Sequence, residues 1–285
     1  MTTLDTLKKQ YSATRRILWV YPVLLIAAAV LIFINSYAAF AMLGIAVLVQ
    51  IFVFRRLQKK YQSDVAGAIV ENTVCKKLES AKYTPADGGA MSPETVKAAV
   101  LLPYRDEKGG CLLKMGIDGS EDGRRVSLCD ATLLQRFQLV KNGKSRVHFV
   151  SGCLIRVQLK SDTGCDRQIV DKDLMPTPVR LEYYSSRIEE DDASALGESF
   201  ISYKSPDSAP LPAGFAKQLG LLAAYTPGKI GISLRSNTLT VFLRDRFLAR
   251  PISFSKAPTQ QLIDFDPMPE LAYIIRMAKA IDNEK

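Results

Sequence analysis

Four short segments carry side chains of the kinds that bind ions or do catalysis. Asp118-Gly-Ser120-Glu-Asp122-Gly123 places oxygens at the first, third and fifth positions of an EF-hand-like loop, with glycine at the sixth. The twelfth position needs a bidentate glutamate and is Cys129, while Arg124 and Arg125 put positive charge beside the glycine. A polar turn between strands at Leu112–Met115 and Val126–Leu128 accounts for this segment better. Gly143-Lys144-Ser145 ends like a phosphate-binding loop, but the first glycine of that motif would fall at Gln138. A strand-like stretch follows, so no helix N-terminus is there to receive a phosphate. With Asn142 before it, Gly143 reads as the turn of a β-hairpin. Glu189-Glu190-Asp191-Asp192 could gather a cation, yet no histidine or regular ligand spacing accompanies it, and charge runs are usually solvated loop. His148, the sole histidine, lies in an apolar stretch where a satisfied structural role suits it better than general-base work.

The common catalytic motifs are missing. There is no Gly-x-Ser-x-Gly elbow, no His-Glu-x-x-His pair and no Rossmann glycine fingerprint. Carboxylate or lysine chemistry could still converge from separate parts of the chain. Cysteines stand at 75, 111, 129, 153 and 165, an odd number with no pair close enough for a zinc knuckle. They read as reduced, mostly buried small residues in a reducing compartment. No catalytic, cofactor-binding or metal-binding residue is assigned, and no cofactor is expected.

The elements that would position such residues follow from periodicity. Ser63-Asp64 can cap a helix with the stripe Ala66, Ile69, Val70, Val74, Leu78 and Ala81. Residues 83–93 read as a linker, and Ser92 with Pro93 starts the next helix. The arms around Asn142-Gly143 run over roughly 124–140 and 145–160, the first broken near Asp130. Val179–Tyr184 and Phe200–Tyr203 look like further strands. Phe215, Leu219, Leu222 and Ala223 mark an amphipathic helix. Lys229–Leu234, Ser236-Asn237 and Leu239–Leu243 form a second hairpin. Asp266-Pro267 opens a last helix that buries Leu271, Ile274, Ile275, Ala278 and Ile281. With no fixed repeat and no βαβα alternation, the expected class is α+β with a mostly antiparallel sheet.

All of this follows an unusual N-terminal region. From Ile17 to Phe54 there is no charged side chain, a run of 38 residues interrupted by Asn35-Ser36. Ile17–Ile34 and Tyr37–Phe54 would each rise about 27 Å against a hydrocarbon core of about 30 Å. A cleaved signal peptide does not fit, because a second apolar segment follows the first directly. Trp19, Tyr21 and Tyr37 suit headgroup level, and Arg15, Arg16, Arg55, Arg56, Lys59 and Lys60 flank the run. Pro22 falls near the start of the first span, where its missing N–H costs little. Ala27–Ala29, Ala38, Ala39, Ala41 and Gly44 are small enough for close helix packing.

Residues 1–60 hold eight basic side chains against Asp5 alone, so they carry +7 of the net charge of +9. The positive charge therefore sits beside the apolar run and is not gathered on a nucleic-acid-binding face. Basic residues favour the cytosolic side, so both ends of the hairpin are expected there. The domain division is an anchor at 1–60 and a cytosolic domain at 61–285, which could divide again near 185–200.

Two apolar helices come first, then a meander ending in Val147–Leu159 around Gly152. Phe200-Ile-Ser-Tyr203, a Leu/Phe-rich helix and the hairpin Ile230–Leu243 complete the order. This order resembles the bacterial domain-of-unknown-function family numbered thirty-one thirty-seven. That family typically has Phe two residues before the glycine; here Val150 holds that place, with Phe149 beside it. The resemblance implies a multi-pass protein of the bacterial inner membrane with a cytosolic α+β domain, and it implies no activity. The expected function is a membrane-tethered module that binds a protein partner or joins a membrane-associated assembly, with the lipid bilayer as its other partner. The alternative is a membrane-bound enzyme or sensor for lipid headgroups or a phosphorylated metabolite. Arg55–Lys60 could also meet anionic headgroups, although setting orientation accounts for the same charges.

Overall fold

The computed structural model describes residues 3–105, 107, 109–138, 145–190, 194–249 and 256–283. Helices and strands follow in the order α1 (Leu4–Ile32), α2 (Ser36–Leu48), a π-helical segment (Val49–Phe54), α3 (Arg55–Asn72), β1 (Glu79–Thr84), α4 (Pro93–Ala98), β2 (Cys111–Glu121), β3 (Arg124–Gln138) and β4 (Ser145–Gln158). They continue with β5 (Asp166–Asp171), α5 (Thr177–Tyr183), β6 (Ile188–Glu189), β7 (Phe200–Lys204), α6 (Ala213–Tyr225), β8 (Ile230–Arg235), β9 (Thr238–Arg244), α7 (Gln260–Ile263) and α8 (Leu271–Asn283). The fold is α+β: long apolar helices, then a nine-stranded antiparallel sheet with flanking helices. Two compact units emerge, Met1–Thr73 with Arg250–Phe265, and Val74–Ala249 with Asp266–Lys285.

In the first unit, Asn35 makes the turn. Its Oδ1 accepts from the N–H groups of Tyr37 (3.0 Å) and Ala38 (3.2 Å), capping the second arm of the hairpin. Both arms run well past the uncharged stretch. α1 begins at Leu4, which places Pro22 in its interior and not near its start. A proline there removes the hydrogen bond that the Leu18 carbonyl would otherwise accept. Ser63-Asp64 is not a helix start either, because α3 continues through it to Asn72. Val74 is thus outside the helix and Ala81 lies in β1. Packing explains the continuation: Tyr61, Val65, Ala68 and Ile69 bury themselves against Leu7, Tyr11 and Ile263.

The two arms differ in phase. Buried Leu7, Tyr11, Thr14 and Ala28, with half-buried Leu18, Tyr21 and Leu25, alternate steps of three and four along α1. That is a heptad seam. On the second arm the buried positions Ala39, Ala46, Phe54, Tyr61 and Ala68 step by seven except across 46–54, where the step is eight. The π-helical segment lies inside that long step, and Arg55 N–H donates to the Gln50 carbonyl, an i→i+5 bond. One wide turn therefore absorbs the extra residue and returns Tyr61 to the seam.

The second unit is built on the sheet, with strand order β1-β2-β3-β4-β9-β8-β5-β7-β6. Asp122 (φ 51°) and Gly123 (φ 75°) make the two-residue turn between β2 and β3, the left-handed pair that hairpins of this length need. β3 and β4 are the two expected arms, while Asn142-Gly143 lies outside the described residues. β3 is unbroken at Asp130, whose carboxylate accepts from Leu248 N–H (2.7 Å) and Ala249 N–H (3.4 Å). Of Val179–Tyr184, expected as a strand, all but the C-cap residue Tyr184 belongs to helix α5, which has proline in its first turn. The expected divide near 185–200 falls inside this unit, where β5 and β7 pair across it.

Strand alternation sorts the sheet into two faces. On one, Cys129, Leu154, Phe242 and Val170 join Val96, Leu101, Leu102, Leu174 and Val179 in a core. On the other, Leu128, Ile155, Val241 and Ile232 are fully buried. Arg124, on that second face, pairs with Asp282 of α8 at 2.6 Å, which locates α8 there. α8 carries the expected buried stripe and packs on α6, with Tyr225 and Tyr273 stacked at 4.8 Å. At Gly152 the backbones of β4 and β9 approach so closely that a Cβ would lie 2.2 Å from the Leu243 carbonyl oxygen.

The phase argument makes a direct prediction. Deleting Ile51 should turn the π-helical segment into α-helix, restore a step of seven and leave the melting temperature in detergent unchanged or raised. Inserting one alanine after Leu57 should rotate Tyr61, Val65 and Ala68 by about 100° off the seam and lower it. Thermal melts followed by circular dichroism compare the two; equal effects would contradict the phase argument.

Candidate functional site

The residues expected to anchor the hairpin all fall in the first unit. Gln10 Nε2 donates to Asp64 Oδ2 at 3.1 Å, and Ile17 and Leu57 line one small cleft with Thr14, Lys60 and Tyr61. This antiparallel register brings Arg15 and Arg16 level with Leu57–Lys60, so six basic side chains collar one end. The opposite end, around Phe33–Tyr37, has none. Arg15 sits 5.9 Å from the ring centre of Tyr11, and both line a second cleft with Ser12, Arg16 and Trp19. Trp19 is 68% exposed and Tyr37 is 87% exposed. Tyr21 is half-buried on the seam.

α1 and the helix continuing from Ser36 are long and apolar enough to cross a membrane. Burial separates them from the core helices of a globular domain. Only 6% of the most apolar window of α1, and 11% of that in the second arm, is covered by protein. Ala28, Ala39 and Ala46 are buried where the helices meet, whereas Phe33, Ile34 and Phe40 point outward.

The segments singled out for chemistry fare differently. Asp118–Glu121 lies in β2 and is not a loop; Asp118 accepts from Ser127 Oγ (2.7 Å) and Ala90 N–H (2.7 Å). Glu190 is ion-paired with Arg167 and lies 3.5 Å from Lys204, while Asp191 and Asp192 fall outside the described residues. Lys144 does so as well. His148 pairs with Gln135 across β3 and β4, and among the described residues its Nε2 and both side-chain amide atoms of Gln135 are buried without hydrogen-bond partners. Among the described residues no three His, Cys, Asp or Glu side chains gather as metal ligands. Burial pushes the thiols of Cys129 and Cys153 well up and that of Cys111 up to about 11, which keeps them protonated and poor nucleophiles.

A constellation invisible in any one segment appears on the α4 side of the sheet. The strand register lines up Ser127, Arg156, Thr240, Ser233, Gln168 and Tyr203 as one rung across six strands. The next rung holds Gln158, Thr238, Arg235 and Asp166. The first of these adjoins the apolar rung of Cys129, Leu154 and Phe242 and the second lies beyond it, so the face changes from core to polar shelf within one pleat. Asp166 is clamped by Arg235 (2.9 Å) and Arg187 (3.0 Å). Ser233 Oγ donates to the Ala99 carbonyl at 2.5 Å, and Arg235 donates to that of Ala98, which ties α4 to the shelf. Between α4 and the β8–β9 turn lies a cavity of about 450 Å³, lined by Glu94, Thr95, Arg156, Arg235, Asn237 and Thr238 among others. One signal for it exists in the sequence: Arg156 is the single charge in the apolar strand Val150–Leu159.

A second polar cluster is buried near the start of α8. Glu270 is fully buried and pairs with Arg246 at 2.5 Å. The charges of Asp130, Glu270 and Arg246 are all felt at Cys153. Burial raises the Asp130 pKa from 3.8 to about 6, and the two backbone donors only partly oppose it.

No protein-family model matches the chain, and no curated protein matches it. Among solved structures it is similar to the mycobacterial trehalose monomycolate transport factor A, TtfA. That likeness has a TM-score of 0.38 at 10% identity, over 77% of this chain and 93% of that one.

Asp130 supplies a pH test. A raised folded-state pKa means that its contribution to stability is complete below pH 3.8 and is lost as pH rises through about 6. Asp130→Asn cannot titrate. Denaturant unfolding of both proteins should show the wild type losing about 2–3 kcal/mol relative to the variant across that window, with no further change above it. A constant difference at all pH values would contradict the assignment.

Proposed function

We propose that this chain is a membrane-tethered module of the bacterial cytoplasmic membrane. Its hairpin spans the bilayer over residues 17–54 with both ends in the cytosol, and its sheet domain meets a protein partner there as part of a membrane-associated assembly. The observation that carries the reading is the pairing of an uncovered apolar surface with a one-sided basic collar. Apolar helix faces without protein cover need a hydrocarbon solvent, and in a bilayer both helices satisfy their own backbone. Arg15, Arg16, Arg55, Arg56, Lys59 and Lys60 at one end and no charge at the other match the side preference of cytosolic loops. Trp19 and Tyr37, exposed near opposite ends of the first span, suit the two headgroup layers. The order of elements also supports placing the chain with the domain-of-unknown-function family whose pattern it resembles.

The polar shelf favours a second reading, in which the domain binds a small anionic ligand and acts as a sensor or enzyme. A cavity of about 450 Å³ is within the usual size of metabolite sites.

Reporter fusions test the tether. A fluorescent reporter after Lys285 should fold and emit, and a phosphatase inserted between Ile34 and Asn35 should be active only outside the cytosol. Changing all six collar residues to Gln should scramble that orientation; an unchanged topology would show that the collar does not set it. Capture of the full-length chain from solubilised membranes should bring a stoichiometric protein with it, and a chain that purifies alone would contradict the assembly.

A further inference from the structure

We propose that the cavity between α4 and the β8–β9 turn binds the phosphate of a small polyhydroxylated phosphomonoester, and that Arg156 is the cation that receives it. The proposal rests on the ligand-binding reading and is independent of the tether.

Arg156 differs from the arginines of this unit that are held by carboxylates, and it is half-buried where Arg125, unpaired among the described residues, is exposed. Arg124, Arg167, Arg187, Arg235 and Arg246 each face a carboxylate. Arg156 is half-buried between Ser127 and Thr240 of the neighbouring strands, and among the described residues it makes no hydrogen bond or ion pair. The charge it feels is that of a second cation, Arg125. Burial and that repulsion both disfavour its charged form. Arg156 lines the cavity with no ion pair or hydrogen bond of its own among the described residues, so an anion entering there meets an uncommitted guanidinium.

The rest of the lining says which anion. Guanidinium offers a planar fork that fits carboxylate and phosphate alike. Around it stand neutral groups that can donate: the hydroxyls of Thr95, Ser236 and Thr238 and the amide of Asn237. A phosphate, with three terminal acceptor oxygens, uses more such donors than a carboxylate does. Glu94 shares the cavity, and its charge opposes a bare anion while accepting from ligand hydroxyls. Phosphate and hydroxyls on one molecule answer both features. Glycerol 3-phosphate, free or as the headgroup of phosphatidic acid, has that chemistry.

The test uses the full-length chain in neutral detergent or nanodiscs, with glycerol 3-phosphate as probe. Calorimetric titration should show saturable binding, and the melting temperature should rise with probe at fixed ionic strength. Arg156→Gln should weaken binding at least about tenfold. Without probe it should melt no lower than the wild type, because it removes an uncompensated charge. Thr238→Val, which removes one hydroxyl and suits a strand, should also weaken binding. Phosphatidic acid in the nanodisc that abolishes the response to soluble probe would identify the lipid as the source. A response retained there would identify a soluble metabolite. Either outcome supports the shared chemistry.

Absence of saturable binding in both settings would overturn the proposal, as would unchanged binding by Arg156→Gln. Equal binding of malonate would overturn the phosphate assignment. If glycerol 3-phosphate fails while another metabolite class raises the melting temperature, the ligand-binding reading survives and this assignment does not. A fall in the melting temperature of Arg156→Gln without probe would assign Arg156 a structural role instead.

Discussion

Thirty-eight consecutive residues without a charge, wound into two helices that meet along alanines and leave their larger apolar side chains uncovered, dictate which solvent this chain can tolerate. Hydrophobic burial drives folding in proportion to apolar area removed from water, and here very little of that area is removed by the protein itself. The other features of the first unit follow from that constraint. Small residues sit on the seam because two helices in hydrocarbon gain most from close van der Waals approach. The bulky Phe33, Ile34 and Phe40 point outward, where lipid tails would meet them. Beyond the uncharged run the seam changes, and its most deeply buried positions pass from Ala28, Ala39 and Ala46 to Leu7, Tyr11, Tyr61 and Val65. The π-helical turn lies at that change and keeps both halves of the seam in phase.

In the second unit the organising fact is strand register. Antiparallel pairing over nine strands projects side chains two residues apart in sequence onto the same face, and it aligns strands distant in sequence into rungs. One rung is core and its neighbour is hydroxyl, amide and guanidinium. Such a boundary within one pleat places polar groups on a rigid frame, with α4 fastened across it through Ser233 and Arg235. Rigid strands hold a binding constellation more firmly than loops do.

Local signals in the sequence led to local structure. The uncharged run, the Asn35 turn, Ser92-Pro93, the β8–β9 hairpin and the α8 stripe are each set by neighbouring residues, and each was legible. Failures came where distant partners decide. Ser63-Asp64 looks like a cap, but packing of Tyr61 and Val65 on Leu7 and Tyr11 keeps the helix running through it. Val179–Tyr184 alternates like a strand, yet the prolines before it set a helical first turn and Val179 packs into the core as part of a helix. Of the polar shelf only the lone charge of Arg156 in its apolar strand was legible, because Arg156, Ser233 and Thr95 become neighbours only after β4, β9 and β8 pair.

The claim on which the rest stands is that hydrocarbon, and not water or a protein partner, covers residues 17–54. Alkaline carbonate extraction of cell membranes strips proteins held by contacts with other proteins or by surface charge and leaves those whose helices cross the bilayer. The chain should stay in the membrane pellet after that treatment and be released only by detergent. Its appearance in the carbonate supernatant would mean that the uncovered helices meet another protein, and the account would fail at its base.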